Sequence, residues 1–259
     1  MTNTALITGA SGGIGLELAK LHAKKGGNMV LVARSLDKLE KLKAEIEQSH
    51  QVKVTVLAED LAKPNAAERI YAFTQSNNID IDILINNAGF GGHGLFYQRD
   101  IKADSDMMQV NMHALTELCH FYLQGMVARR HGKILNVSST VSFLPGPLQA
   151  VYYATKAYVT SFTQAIAQEN AEFGVTATAL CPGTVATGFA KAGDLDGVEV
   201  FNNAKSPSSV ALCGYNAMEK GQLVAFNESG LKVFLEWIVP LLPRKLVLKL
   251  SRQSMEKTA

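Results

Sequence analysis

Residues 4–15 read TALITGASGGIG, and the fold is decided there. TALIT is a short apolar run that stops at Gly9. GASGGIG, residues 9–15, follows, and then an amphipathic segment, residues 16–25, closed by Gly26 and Gly27. This is a strand, a glycine-rich turn and a helix. Glycines let the backbone approach a pyrophosphate, and a helix N-terminus offers unpaired N–H groups and a positive dipole end. Gly9, Ser11, Gly13, Ile14 and Gly15 are therefore candidate cofactor contacts. Alone, such a loop also reads as a plain tight turn. Between the first strand and first helix of an alternating series, it signals a dinucleotide.

The alternation continues outward. NMVLVA, residues 28–33, reads as a second strand, and Leu36, Leu39, Leu42 and Ile46 then recur at helical spacing. A third strand is expected over residues 52–57, before Glu59, Asp60 and Leu61. Pro64 suits the first turn of a helix reaching about residue 76. A fourth strand, residues 82–85, runs into Asn86, Asn87, Ala88 and Gly89. Residues 90–94 are a flexible loop, with His93 as a loop residue. One long helix over residues 103–130 carries Asn111. Strands are expected at 133–138 and 176–181, with a second long helix, 152–173, between them. Residues 187–221 are looser, with one helix after Pro207, and residues 223–226 suit a last strand. Strands alternating with helices indicate an α/β fold, a Rossmann-type doubly wound, mainly parallel sheet. With no repeat or linker, a single domain is expected: residues 1–230 with a substrate loop at 187–221, and a C-terminal extension of the same domain at 231–259.

Composition narrows the class. The 259 residues carry 25 basic and 23 acidic side chains, a net charge of +2, so no nucleic-acid partner is implied. The three cysteines, Cys119, Cys181 and Cys213, suggest buried thiols in a reducing compartment. The six histidines form no metal-ligand pattern, and no metal is expected. No apolar run reaches transmembrane length and no basic leader begins the chain, so a cytoplasmic protein is expected.

The chemistry concentrates in KILNVSSTVSFLPGPLQAVYYATKAYV, residues 133–159. Ser139 falls on a turn after an apolar strand. Tyr152 opens a helix and Lys156 lies one turn on, so the two share a face. A fixed cation favours the phenolate and lowers a tyrosine pKa, making Tyr152 a candidate proton donor to a developing alkoxide. Ser139 is placed to hydrogen-bond the same oxygen. The competing reading is an ordinary helix-surface pair. Just past the second strand, where dinucleotide folds meet the adenosine ribose, stands Arg34 rather than an acidic residue. Arginine matches a 2′-phosphate by bidentate hydrogen bonding, which points to NADP(H) over NAD(H).

Taken together, the chain resembles the short-chain dehydrogenase/reductase family over about residues 5–187. Residues 8–15, TGASGGIG, fit its Thr-Gly-x-x-x-Gly-x-Gly motif. The resemblance implies that Asp60 and Leu61 hold the adenine, and that Asn87, with Ala88 and Gly89, is a cofactor contact. It makes Asn111, Ser139, Tyr152 and Lys156 a catalytic tetrad, with Asn111 keeping a water in a proton relay and Lys156 also binding the nicotinamide ribose. Pro182, Gly183, Val185 and Thr187 would hold the nicotinamide end. The implied reaction is NADPH-dependent reduction of a ketone or aldehyde to an alcohol. The chain is similar to a bacterial group of oxidoreductases and, more distantly, to 3-oxoacyl thioester reductases and hydroxysteroid dehydrogenases; an apolar substrate, such as a 3-oxoacyl thioester or steroid-like ketone, is expected. One departure is Gly12, where many NADP-type members carry a basic residue. The alternative is a non-catalytic NADP(H)-sensing regulator on the same fold. The substrate lining falls in residues 90–96, 142–149 and 187–221, outside the motifs.

Two expectations concern partners. Both long helices carry apolar residues on more than one face, which together with the resemblance implies a homodimer or homotetramer. Residues 231–250, LKVFLEWIVPLLPRKLVLKL, are apolar and basic, with Pro240 and Pro243 dividing two short segments. Leu246, Val247 and Leu250 suit one helix face there. Docking on its own domain or a sister subunit, a lid over the pocket, or reversible contact with an anionic membrane would cover this stretch.

Overall fold

The computed structural model describes residues 3–257. The chain runs β1 (Thr4–Thr8), α1 (Gly13–Lys24), β2 (Asn28–Ala33), α2 (Leu36–Ser49), β3 (Val54–Ala58), α3 (Ala66–Ser76) and β4 (Ile83–Asn86). After β4 come α4 (Ile101–Met108), a wide π-turn (Gln109–Ala114), α5 (Leu115–Arg129) and β5 (Gly132–Val137). Then follow α6 (Ala150–Asn170), β6 (Val175–Leu180), the short α7 (Phe189–Ala192), α8 (Pro207–Glu219) and β7 (Val224–Ala225). The C-terminal extension holds α9 (Ser229–Val233), a π-turn (Phe234–Ile238), a 3-10 turn (Val239–Leu241) and α10 (Arg244–Met255).

The seven strands form one parallel sheet in the order β3-β2-β1-β4-β5-β6-β7. Parallel strands need crossovers, and the crossover helices cover both faces, so the strands are apolar throughout rather than alternating. Successive side chains still point to opposite faces. Ala5 and Ile7 of β1 pack in one layer with Leu18, Leu39, Val210 and Met218. Leu6 faces the other layer with Ile70, Leu118, Val159 and Ile166. The strand order reverses between β1 and β4, and a crevice opens beyond the carboxyl ends of the strands at such a point.

Three expectations change in detail. The helix expected from Pro64 starts at Ala66, because Asn65 is left-handed (φ 57°) and stops the first turn forming earlier. The helix expected over residues 103–130 is α4 and α5 joined by the π-turn around Asn111. In the extension the chain bends at Leu242 and Pro243, and Val247 turns inward while Leu246 and Leu250 stay exposed. Leu235, Val239 and Val247 pack against Phe143, Leu144 and Phe226, so the inner face docks on the chain's own domain. Among the described residues no helix is long and apolar enough to cross a membrane.

Candidate active site

The glycine loop and the segment after β4 are built against each other. Gly9 takes a φ of 66°, which glycine adopts with little strain. A Cβ on Gly15 would collide with Asn87 Nδ2 and the Gly9 carbonyl. Thr8 Oγ1 accepts from the N–H groups of Asn87 and Ala88, each at 3.0 Å. Asn87 Nδ2 donates to Thr8 O at 2.9 Å and Gly9 O at 3.2 Å. The Asn87 amide, expected as a cofactor contact, is thus committed to bracing the loop, although the residue still borders the cavity.

That cavity measures about 530 Å³. Gly9, Ser11, Gly13 and Ile14 line one end, with Arg34 beyond them, and Ala88 and Gly89 one side. Ser139, Tyr152 and Lys156 line the other end with Pro182, Gly183, Val185 and Thr187. A neighbouring cavity of about 380 Å³ shares Arg34 and adds Asp60 and Leu61. Glu59 also borders it, but Arg69 pairs with that carboxylate at 2.8 Å and holds its pKa below the usual range. Arg34 and Lys38 are left as the basic groups facing this end. The narrow glycine cradle, the free first turn of α1 and this basic end fit a phosphorylated dinucleotide.

Gly15 and Asn111 lie outside both cavity walls. Asn111 is buried at the π-turn, and its side chain clamps the loop after β4. Its Oδ1 accepts from Phe90 N at 3.1 Å, and its Nδ2 donates to Phe90 O at 3.0 Å and Thr155 Oγ1 at 3.1 Å. This side chain therefore positions residues 89–90. π-turns interrupt helical hydrogen bonding and recur at functional sites.

The reactive end has Tyr152 at its centre. Its ring stacks at a tilt on Phe189, with centroids 5.3 Å apart, and its phenol lies beside the Ser139 hydroxyl. Ser139 Oγ also donates to Pro182 O at 3.3 Å. Lys156 is 5% exposed, and its Nζ donates to Val137 O at 2.8 Å while lying 5.8 Å from the Tyr152 ring centroid. Here the sequence expectation is reversed. Burial pushes the Tyr152 phenol above its ordinary pKa, and the nearby Ser139 hydroxyl only partly opposes this. Burial also pulls Lys156 down to about 8. The ammonium points to a backbone carbonyl, not to the phenol oxygen, so desolvation outweighs its field on Tyr152. Tyr152 is a neutral phenol near pH 7, the protonated form a proton donor requires.

Tyr153 is placed differently. A Cβ on Gly146 would run into its ring, and Tyr153 lies outside both cavity walls. His93 has a similar structural part: Nε2 lies 2.8 Å from Met255 O, while Arg99 donates to His93 O and pairs with the buried Asp104 at 2.6 Å.

Several wall residues escaped the sequence reading. Lys38 stands in the first turn of α2, four positions after Arg34, a second basic residue visible in the sequence. Phe189, Ala192, Phe201 and Met255 wall the reactive end, and Met255 comes from the far end of α10. No local pattern announces an apolar residue brought in from so distant a segment.

Comparison with known proteins agrees with this geometry. The short chain dehydrogenase family profile matches residues 3–196. A human very-long-chain 3-oxoacyl-CoA reductase is 35% identical over 192 residues, covering 72% of this chain and 61% of that protein. The Macaca fascicularis protein of the same name is 30% identical over 263 residues, covering 98% of this chain and 80% of its own. A short-chain dehydrogenase from Sphingobium yanoikuyae, solved in complex with NADPH, superposes with a TM-score of 0.83 at 28% identity, covering 89% of this chain and 90% of that one. With Ser139, Tyr152, Lys156 and most of the glycine loop lining one switch-point crevice, the chain belongs to the short-chain dehydrogenase family.

Proposed function

We propose that the protein reduces an apolar ketone or aldehyde with NADPH, and that a 3-oxoacyl thioester is the substrate class. One observation carries this reading: buried Tyr152, with Ser139 and Lys156, closes the same cavity whose other end carries the glycine loop and Arg34. The chain spans 61% of the human 3-oxoacyl-CoA reductase it matches, and its apolar wall of Phe189, Phe201 and Met255 suits an acyl chain. When bound, the nicotinamide would supply the two electrons that reduce the carbonyl carbon. Gly9, Gly13 and the first turn of α1 would hold the pyrophosphate, and Arg34 with Lys38 the 2′-phosphate.

The residues of the chain do the rest. Ser139 and Tyr152 hydrogen-bond the carbonyl oxygen and stabilise charge as it develops. Tyr152 then donates its proton, because an alkoxide is a much stronger base than a phenolate. The Lys156 ammonium, fixed by Val137 O, stabilises the phenolate left behind. Asn111 keeps Phe90 and Gly89 in place against the cavity. All four positions are filled, Ser139, Tyr152 and Lys156 line the cavity with Asn111 behind its wall, and no observation favours a sensor without turnover.

The test is NADPH consumption with a panel of 3-oxoacyl-CoA chain lengths, steroid ketones and small polar aldehydes. Turnover of long-chain 3-oxoacyl-CoA that falls by about 10² or more in Tyr152→Phe, with NADPH binding kept, is the expected result. Activity on small polar aldehydes alone would refute the substrate class. Full activity in Tyr152→Phe would refute the mechanism.

The same reading includes a homodimer or homotetramer paired through α5 and α6. Its support is a half-buried aromatic ridge on these helices, in which Tyr158 stacks on Phe162 of α6 with ring centroids 5.7 Å apart and Phe121 of α5 stacks on Tyr71 of α3 at 5.1 Å. A monomeric mass by light scattering at micromolar protein would refute it.

A further inference from the structure

The C-terminal extension has two unlike sides. Its inner side is buried on the domain, as described above. Its outer side is large and apolar: Leu241 is 85% exposed and Trp237 70%, with Phe234, Ile238, Leu246 and Leu250 also exposed. The chain's own domain therefore leaves this side uncovered, and an apolar surface of this kind marks an interaction site.

The charge beside it identifies the partner. From residue 231 onward there are six basic and two acidic residues, a net of +4, against −2 for the rest of the chain. On α10, Leu246 and Leu250 form one i,i+4 row, and Lys245 and Lys249 form the next. Among the described residues, Lys232, Arg244, Lys245 and Lys249 make no ion pair. A second copy paired by a two-fold axis would set this positive face against itself. An anionic lipid surface accepts both the apolar and the basic groups.

We infer that residues 231–250 dock this protein reversibly on an anionic lipid bilayer. Trp237 and Leu241 enter the headgroup region, where an amphipathic indole is favoured. Arg244, Lys245 and Lys249 meet the anionic headgroups. Pro240 lies in the turn that presents Leu241, and Pro243 sets the bend into α10, so the tip is rigid. At its other end α10 carries Met255 into the cavity wall, so one helix joins the lipid-facing surface to the site. This inference stands whichever carbonyl compound is reduced.

Trp237 is the chain's one tryptophan, so its fluorescence reports on this surface directly. The full chain would be titrated with phosphatidylglycerol/phosphatidylcholine vesicles and with phosphatidylcholine vesicles alone. The expected result is a blue shift and co-sedimentation with the anionic vesicles, weakened by added salt. Replacing both Lys245 and Lys249 by alanine should weaken partition about thirtyfold, from about fivefold per basic residue at an anionic surface. Leu241→Glu, at an exposed position, should abolish the blue shift and leave the melting temperature unchanged. No shift and no co-sedimentation with anionic vesicles would overturn the inference, as would equal binding to both vesicle types. A blue shift that follows protein concentration without lipid, with a matching rise in mass, would assign the surface to a second copy and overturn it too.

Discussion

Replacing Lys156 by methionine should abolish turnover and make stability less dependent on alkaline pH than in the parent protein. Lys156 is 5% exposed, and burial lowers its pKa from 10.5 to about 8. A base whose folded pKa is depressed penalises the folded state while both states are charged, that is, below pH 8. The penalty is relieved between about 8 and 10.5, because there the folded state has lost the proton and the unfolded chain still holds it. At about 1.4 kcal/mol for each pH unit separating the two values, the full penalty is about 3 kcal/mol. Lys156→Met removes this titration but leaves Val137 O without its donor, a loss of about 1–3 kcal/mol that does not vary with pH. The absolute difference at pH 7 is therefore less informative than its slope. The stability of the variant relative to the parent should fall by roughly 2–3 kcal/mol between pH 7 and pH 10. Urea unfolding of both proteins at matched concentration across that range measures it, and the comparison cancels every other group that titrates alike in both. A relative stability constant from pH 7 to 10 would refute the buried-ammonium argument. The same titration appears in catalysis: kcat/KM for reduction should decline as pH rises through about 8, when the ammonium that stabilises the Tyr152 phenolate discharges.

Other predictions rest on single contacts. Arg34→Ala should lower the preference for NADPH over NADH by one to two orders of magnitude, from a charged hydrogen bond of about 1.5–3 kcal/mol, and Lys38→Ala should add to that loss; unchanged cofactor selectivity in the double variant would remove both from the 2′-phosphate. His22 is buried with Nδ1 2.8 Å from Tyr215 OH, and burial lowers its pKa below 6.5, so the unfolded chain binds the extra proton first and stability should fall as pH drops below about 6.5. His22→Gln should lack that acid-side loss in urea unfolding, and an identical loss in the variant would place its origin elsewhere. Tyr153→Phe should keep turnover, since Tyr153 lies outside both cavity walls and packs its ring on Gly146; a dead but stable Tyr153→Phe would contradict the division of labour between the two tyrosines.

How much was legible in the sequence follows from how far each feature reaches along the chain. TGASGGIG lies in one turn, and its constraints are local: a left-handed Gly9 and a Gly15 with no room for a side chain. Such features leave a local pattern, and the strand-turn-helix at residues 4–24 appears as expected. The order of strands follows as well, because an apolar strand alternating with helices has few parallel solutions. The pairing of Tyr152 with Lys156 also survives, as a property of one helix face. What did not survive depends on the third dimension. A sequence shows that a lysine stands four residues from a tyrosine, not that both are buried or that Val137 O captures the ammonium. The sign of the Tyr152 shift was therefore misread, because a neighbouring charge was visible and desolvation was not. For Asn87 and Asn111 the resemblance implied a cofactor contact and a held water, and it did not announce where their side-chain amides go. In the fold each spends its amide on a nearby backbone, Asn87 on the glycine loop and Asn111 on Phe90. A site of this kind keeps its reacting groups still by surrounding them with committed hydrogen bonds, so the polar residues that surround the chemistry outnumber those that perform it.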